Sequence, residues 1–187
     1  MSIYFLRHIK TKYNAENRIS GCFDVEPLTD QSLILPQGET VYFRRVFSSP
    51  LKRCRATVDL LPAGAYDNLI FCDQLIERNL GILEGLPKEE AIQNYPHLFC
   101  NGKLAVTAEI PKGESITEVA HRISAIAEEL KNSPSAANIL VCSHNQTLKI
   151  LYAILKGIPI TNEYWKAINF RNGTLVNVEE IKNFEYL

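Results

Sequence analysis

Ser2-Ile3-Tyr4-Phe5-Leu6-Arg7-His8 is the stretch on which the fold turns. An apolar run of four residues, long enough for a buried strand, stops at an arginine and a histidine side by side. In an open α/β sheet, ligands sit beyond the carboxyl ends of the strands, so a strand ending in this pair places it where chemistry is done. Arg7 presents a planar fork of donors suited to a carboxylate or phosphate. His8 offers a nitrogen that can attack, carry a proton or bind a metal. Taken alone, such a pair is more often a solvated strand end; what changes the reading is its context.

The same arrangement returns further along the chain. Asn138-Ile139-Leu140-Val141-Cys142 reads as a strand that stops at Ser143-His144, and Leu148, Leu151, Tyr152 and Leu155 then follow helical spacing. Val46-Phe47-Ser48 is another short strand. Beyond it, Ser49 reads as an N-cap and Pro50 as the first helical residue, with Leu51, Cys54, Val58 and Leu61 on one face. Leu69-Ile70-Phe71-Cys72 is a further strand. Ser115 and Glu118 form a capping box before a helix whose apolar face is Ile116, Val119, Ile123, Ile126, Ala127 and Leu130. His121 and Arg122 fall off that stripe, and a solvated face suits His121. At the end of the chain, Ala167 to Phe170 and Thr174 to Val178, joined through Asn172-Gly173, read as a terminal hairpin or two short strands. Parallel strands with crossover helices predict an α/β fold, a three-layer α/β/α sandwich around a mostly parallel central sheet.

Two regions resist this pattern. Residues 9–40 are studded with turn formers, among them Asn14, Asn17, Gly21, Asp24, Pro27, Pro36 and Gly38, which deny a long element. Within them, Leu33-Ile34-Leu35 fits either a short strand or one helical turn. Residues 76–113 are irregular apart from a helical piece near Glu89 to Tyr95, and are expected to form a compact cleft wall or lid.

A chain of 187 residues suits one hydrophobic core, hence a single domain over 1–187. Its 46% apolar content argues against disorder. Twenty basic and 21 acidic residues leave a net charge of −1, so no global field recruits nucleic acid or an anionic membrane. The opening apolar run is too short for a signal peptide or membrane span, and cytoplasmic residence is the default expectation. Five cysteines, Cys22, Cys54, Cys72, Cys100 and Cys142, are odd in number and lack CxxC spacing, so neither a disulfide framework nor a zinc site is suggested. The oligomeric state has no signature in the sequence.

His8 and His144 each lie just beyond an apolar strand, and Arg7 and Arg53 lie near two such ends. If these ends share a face, the cluster is strongly positive although the protein is not. Two arginines and two imidazoles supply more donors than a carboxylate can use, so phosphate is the better occupant.

With these residues assembled, the chain resembles the histidine phosphatase superfamily, the phosphoglycerate-mutase-like family, and within it the small phosphatases. The family's strand followed by Arg-His-Gly is matched by Leu6-Arg7-His8, and its following asparagine by Asn14. Its Ser-Pro-Leu-x-Arg segment is matched by Ser49-Pro50-Leu51-Lys52-Arg53, followed by Thr57. Its acidic stretch appears as Glu77 ahead of Gly81-Ile82-Leu83-Glu84-Gly85, its Gly-Glu-Ser as Gly113-Glu114-Ser115, and its late Ser-His as Ser143-His144. The matches fall in family order from residue 3 to about 156.

The resemblance implies that His8 is a nucleophile forming a phosphohistidine, that Arg7, Arg53 and His144 hold the phosphoryl oxygens, and that Glu77 protonates the leaving oxygen. Asn14, Gly21 and Asn145 are expected to bind substrate, with no cofactor and no metal. His144 is expected to serve best as imidazolium. Glu84 competes with Glu77 for the acid role but suits fixing the loop backbone. His97 reads as a surface or lid residue.

The chain departs from the family at Ile9 and Lys10, after the first histidine, and at Asn145, where glycine is usual after the second. Backbone N–H groups survive at Ile9 and Asn145 and remain available to phosphate. The implied activity is hydrolysis of a small phosphorylated metabolite: a phosphosugar, a phosphorylated nucleoside such as α-ribazole phosphate, or a phosphoamino acid, with Ile9, Phe23 and Leu98 as selectivity elements. Mutase-type phosphoryl transfer, which needs a more closed wall than 84–113 provides, is the alternative. A phosphate-binding or regulatory protein weakened by Ile9 and Asn145 is the other.

Overall fold

The computed structural model describes residues 2–36, 41–133 and 137–181. Gly38 and the last six residues of the expected 1–187 domain lie outside these. Strand β1 (Ile3–Arg7) is followed by the one-turn helix α1 (Lys12–Ala15), β2 (Phe43–Ser48), α2 (Lys52–Val58) and β3 (Tyr66–Phe71). Then come α3 (Lys88–Asn94), the two-residue strands β4 (Phe99–Cys100) and β5 (Lys103–Leu104), α4 (Ile116–Lys131), β6 (Ile139–Ser143), α5 (Asn145–Lys156), α6 (Asn162–Ala167) and β7 (Leu175–Asn177). Among the described residues no helix is long and apolar enough to cross a membrane.

The central sheet has the order β3-β2-β6-β1-β7, and only β7 runs antiparallel, against β1. Alternation along β1 shows why its sequence is apolar without a break. Ile3 and Phe5 enter a core shared with Val119, Ile123 and Leu130 of α4 and Leu148 and Leu151 of α5. Tyr4 and Leu6 enter a second core with Cys54 and Val58 of α2. Both faces of the sheet are thus covered by helices, which gives the α/β/α sandwich. A third apolar cluster, including Leu80, Leu83, Leu98 and Ile110, forms within the long connection between β3 and α4.

The expected elements are present with shifted limits. Ser115 and Glu118 do close a capping box on α4. The helix after β2, however, has Leu51 as its N-cap and starts at Lys52, two residues later than Ser49 and Pro50 suggest. The Ser49 hydroxyl accepts from Leu51 N at 3.4 Å and also meets His144 Nε2. Leu33-Ile34-Leu35 is neither strand nor helical turn; Ile34 makes a single bridge to Thr174. The terminal hairpin is also not found. Ala167 ends α6, whose N-cap Thr161 accepts from Tyr164 N at 3.2 Å, and among the described residues the one strand that follows is β7, paired to β1.

Candidate active site

Strands β2, β6 and β1 are neighbours in the sheet and parallel, so their carboxyl ends lie side by side. Arg7 stands opposite Ser143, and Ser48 opposite Cys142. The ladder continues one residue further, with His8 N donating to Ser143 O and Ser49 N to Cys142 O, each at 3.0 Å. His8, Ser49 and His144 therefore leave the sheet together. Above them is a cavity of about 290 Å³, with Arg7, His8, Arg53 and Glu77 on its lining.

The His8 ring is buried and its Nδ1 lies 2.6 Å from Ile9 O. A carbonyl can only accept, so Nδ1 carries the proton and Nε2 holds the lone pair. Burial, reinforced by the Arg7 and Arg53 guanidiniums, pushes the His8 pKa well below its ordinary value and keeps the ring neutral. The Ile9 N–H expected to remain available to phosphate instead donates to Thr57 Oγ1 at 2.9 Å. Thr57 Oγ1 in turn donates to Arg53 O. The hydroxyl of Thr57 thus ties the loop after β1 to helix α2.

His144 departs from expectation. Arg53 Nε donates to His144 Nδ1 at 3.1 Å, and because arginine never accepts, that nitrogen has no proton. His144 Nε2 then donates to Ser49 Oγ at 2.9 Å. The ring is fully buried, and desolvation together with Arg53, His8 and Arg7 pushes its pKa well below the usual range. It is a neutral imidazole rather than an imidazolium. It sits behind the cavity lining, its ring centroid 5.1 Å from that of His8.

Arg53 also donates to Phe23 O at 2.5 Å and to Gly21 O at 2.9 Å. Each terminal nitrogen keeps one further N–H, and burial lowers its pKa. Arg7 donates through Nη1 to Phe170 O at 2.7 Å. Its Nε is buried without a hydrogen-bond partner among the described residues. Burial lowers the Arg7 pKa to about 10, with Glu77 opposing and Arg53 adding to the shift.

Glu77 is buried at the start of α5. Its Oε1 accepts from Arg78 N and Thr147 N at 3.0–3.1 Å and lies 3.1 Å from Thr147 Oγ1, whose one proton also reaches Ile76 O at 2.9 Å, whereas among the described residues Oε2 accepts only from Gln146 N at 3.2 Å. Oε2 is therefore the oxygen with room for a proton. Glu84 is engaged differently: Oε1 accepts from Cys22 N and Leu80 N, each at 2.8 Å, and the residue does not line the cavity. It fixes the loop backbone.

Asn14, Gly21 and Asn145 all line the cavity. Asn14 caps its own turn by accepting from Thr11 N, and Gly21 stands at φ +49° with its carbonyl on Arg53. The Asn145 side chain donates to Asn169 Oδ1 and accepts from Phe170 N. Ile9, Phe23 and Leu98, expected as selectivity elements, are absent from the lining; Ile9 and Leu98 are core residues. Leu80, Leu83, Phe99 and Leu104 stand there instead. His97 lies off the cavity, and His121 is exposed on α4. Sequence reasoning missed Ser49 as a partner of His144, although its position just beyond a strand end, like that of both histidines, was the available signal.

Arg7, His8 and the buried Arg53 bring two guanidiniums and a neutral imidazole to one cavity above parallel strand ends, a donor set suited to an anion. Residues 3–183 match the family model described as histidine phosphatase superfamily (branch 1), and the chain belongs to that family. It is 31% identical to a protein named probable phosphoglycerate mutase GpmB from Shigella dysenteriae, over 96% of this chain and 85% of that one. The protein of the same name from Escherichia coli is 30% identical over the same shares. Among solved structures, Bacillus stearothermophilus YhfR is similar with a TM-score of 0.77 at 24% identity, covering 93% of this chain and 88% of that one. The alpha-ribazole phosphatase of Shigella flexneri gives 0.74 at 23%, covering 94% and 88%. The likeness to these two structures is one of fold.

Proposed function

We propose that the protein hydrolyses a small phosphomonoester through a phosphohistidine on His8. The observation that carries this reading is the His8 ring on the cavity lining, neutral, with Nδ1 committed to Ile9 O so that Nε2 is the attacking nitrogen. The remaining N–H groups of Arg53 and the unpartnered Nε of Arg7 supply donors to the phosphoryl oxygens, whose charge they stabilise in the transition state. His144 acts through Arg53, holding its Nε. Glu77 Oε2 gives a proton to the departing alcohol, then takes one from the water that attacks the phosphohistidine, releasing inorganic phosphate and restoring His8. Asn14 and Gly21 shape the phosphate pocket. The chain works as one domain, with residues 76–113 as the cavity wall.

Rapid quench with a radiolabelled phosphoester should trap acid-labile label on His8, and His8→Ala should abolish both label and turnover. Undiminished turnover in His8→Ala would remove the assignment. The name of the Shigella dysenteriae relative favours a second reading, transfer between hydroxyls of phosphoglycerate. Efficient transfer with little free phosphate would establish that reading in place of hydrolysis.

A further inference from the structure

Most of the apolar side chains on the cavity lining come from one segment of the chain. The end of β1, the segment after it and helix α2 contribute Arg7, His8, Asn14, Ser20 and Arg53. The segment between β3 and α4 contributes Leu80, Leu83, Phe99 and Leu104, together with the charged Glu77 and Lys88. Phe99 and Leu104 are directly paired across the β4–β5 ladder. Paired residues project from the same face of a hairpin, so these two form one apolar patch. Both are half-buried against the third core cluster, as is Ile19, which also lines the cavity. The remaining apolar surface is thus presented to whatever is attached to the phosphoryl group. Arg18, which also lines the cavity, donates through Nε to Glu16 and through Nη1 to Gly85 O.

Resting on the hydrolase reading above, we propose that this wall selects phosphomonoesters whose leaving alcohol is apolar, a small alkyl or aryl group packed on Phe99 and Leu104, over phosphates of polyhydroxylated alcohols. A hydroxyl pressed against this patch loses its water and gains no partner, whereas a methylene loses contact with water and gains dispersion contacts. The volume of about 290 Å³, at the lower end for ligand pockets, restricts the alcohol to a small one.

The test uses the full chain with n-alkyl phosphates from methyl to hexyl, and compares n-propyl phosphate with glycerol 1-phosphate, which differs from it by two hydroxyls. The specificity constant kcat/KM should rise about fourfold per methylene, the equivalent of about 0.8 kcal/mol per buried CH₂, until the wall is covered. Glycerol phosphate should trail propyl phosphate by about tenfold or more. Leu104→Ser and Phe99→Ser should each flatten the slope of the series. A flat series in the unaltered protein, or a preference for glycerol phosphate, overturns the proposal. If no ester is hydrolysed, it is the hydrolase reading that fails, and calorimetric titration with the corresponding alkylphosphonates decides the wall separately. Affinity that strengthens with chain length supports the wall as the selector. Affinity independent of chain length refutes it.

Discussion

Acidification should destabilise this fold through His8 and His144, and the size of the effect follows from their burial. Both rings are neutral in the folded protein because desolvation and the neighbouring arginines push their pKa values well below 6.5. In the unfolded chain they titrate near 6.5. Below that pH the unfolded state binds more protons than the folded one, so stability falls as the pH drops. The loss begins near the unfolded value and continues down toward the depressed folded values. Between pH 7.5 and 5.5 each histidine should remove about 1.4 kcal/mol, and the two together about 2.7 kcal/mol. That is a large part of a typical stability of about 5–15 kcal/mol. Urea unfolding followed by the fluorescence of Trp165 at both pH values measures it, with the double variant His8→Gln/His144→Gln as the reference. The reference should lose about 2.7 kcal/mol less than the unaltered protein over the same interval. Equal losses in the two proteins would show that the rings are already protonatable in the fold. His8 would then not be the preformed neutral nucleophile argued above.

Three further outcomes follow from the site. Glu77→Gln keeps the size and the Oε1 acceptor but replaces Oε2, which accepts from Gln146 N, by an amide group that cannot deliver a proton, so phosphohistidine formation should fall about 10²–10⁴-fold with an alkyl phosphate and far less with p-nitrophenyl phosphate, measured by burst kinetics. Glu84→Gln, which alters the loop that Glu84 supports through Cys22 N and Leu80 N, should affect both leaving groups alike. Gly21→Ala places a methyl group into Glu84 Oε1 at a positive φ, which should cost roughly 2–4 kcal/mol in urea unfolding and weaken phosphate binding by displacing the Gly21 carbonyl from Arg53. An alanine variant as stable as the parent would show that Glu84 is free to move.

Much of the sheet was legible because the information is local. The unbroken apolar run ending at Arg7-His8 announced a strand buried on both faces and finished at a polar site, and the run ending at Ser143-His144 announced its neighbour. The Ser115–Glu118 box marked the start of α4 for the same reason, since a cap is decided within one turn. Helix α6 went unread because its six residues are too few to display a helical period.

What the sequence by itself determined about this protein is the presence of β1, β2, β3 and β6 and the groups beyond the ends of β1, β2 and β6, because apolar periodicity acts over a few residues. The tertiary structure alone decided what those groups became. It set β2, β6 and β1 side by side, gave Ile9 N–H to Thr57 rather than to phosphate, and turned Asn145 toward Asn169. It also brought Arg53 onto His144 Nδ1 and excluded water from both, so that the second histidine is neutral. And it stood Phe99 beside Leu104 on the cavity wall. Each of these depends on contacts between residues far apart in the chain and on the loss of solvent around them, and a charge state or a hydrogen-bond partner is settled only when that solvent is gone.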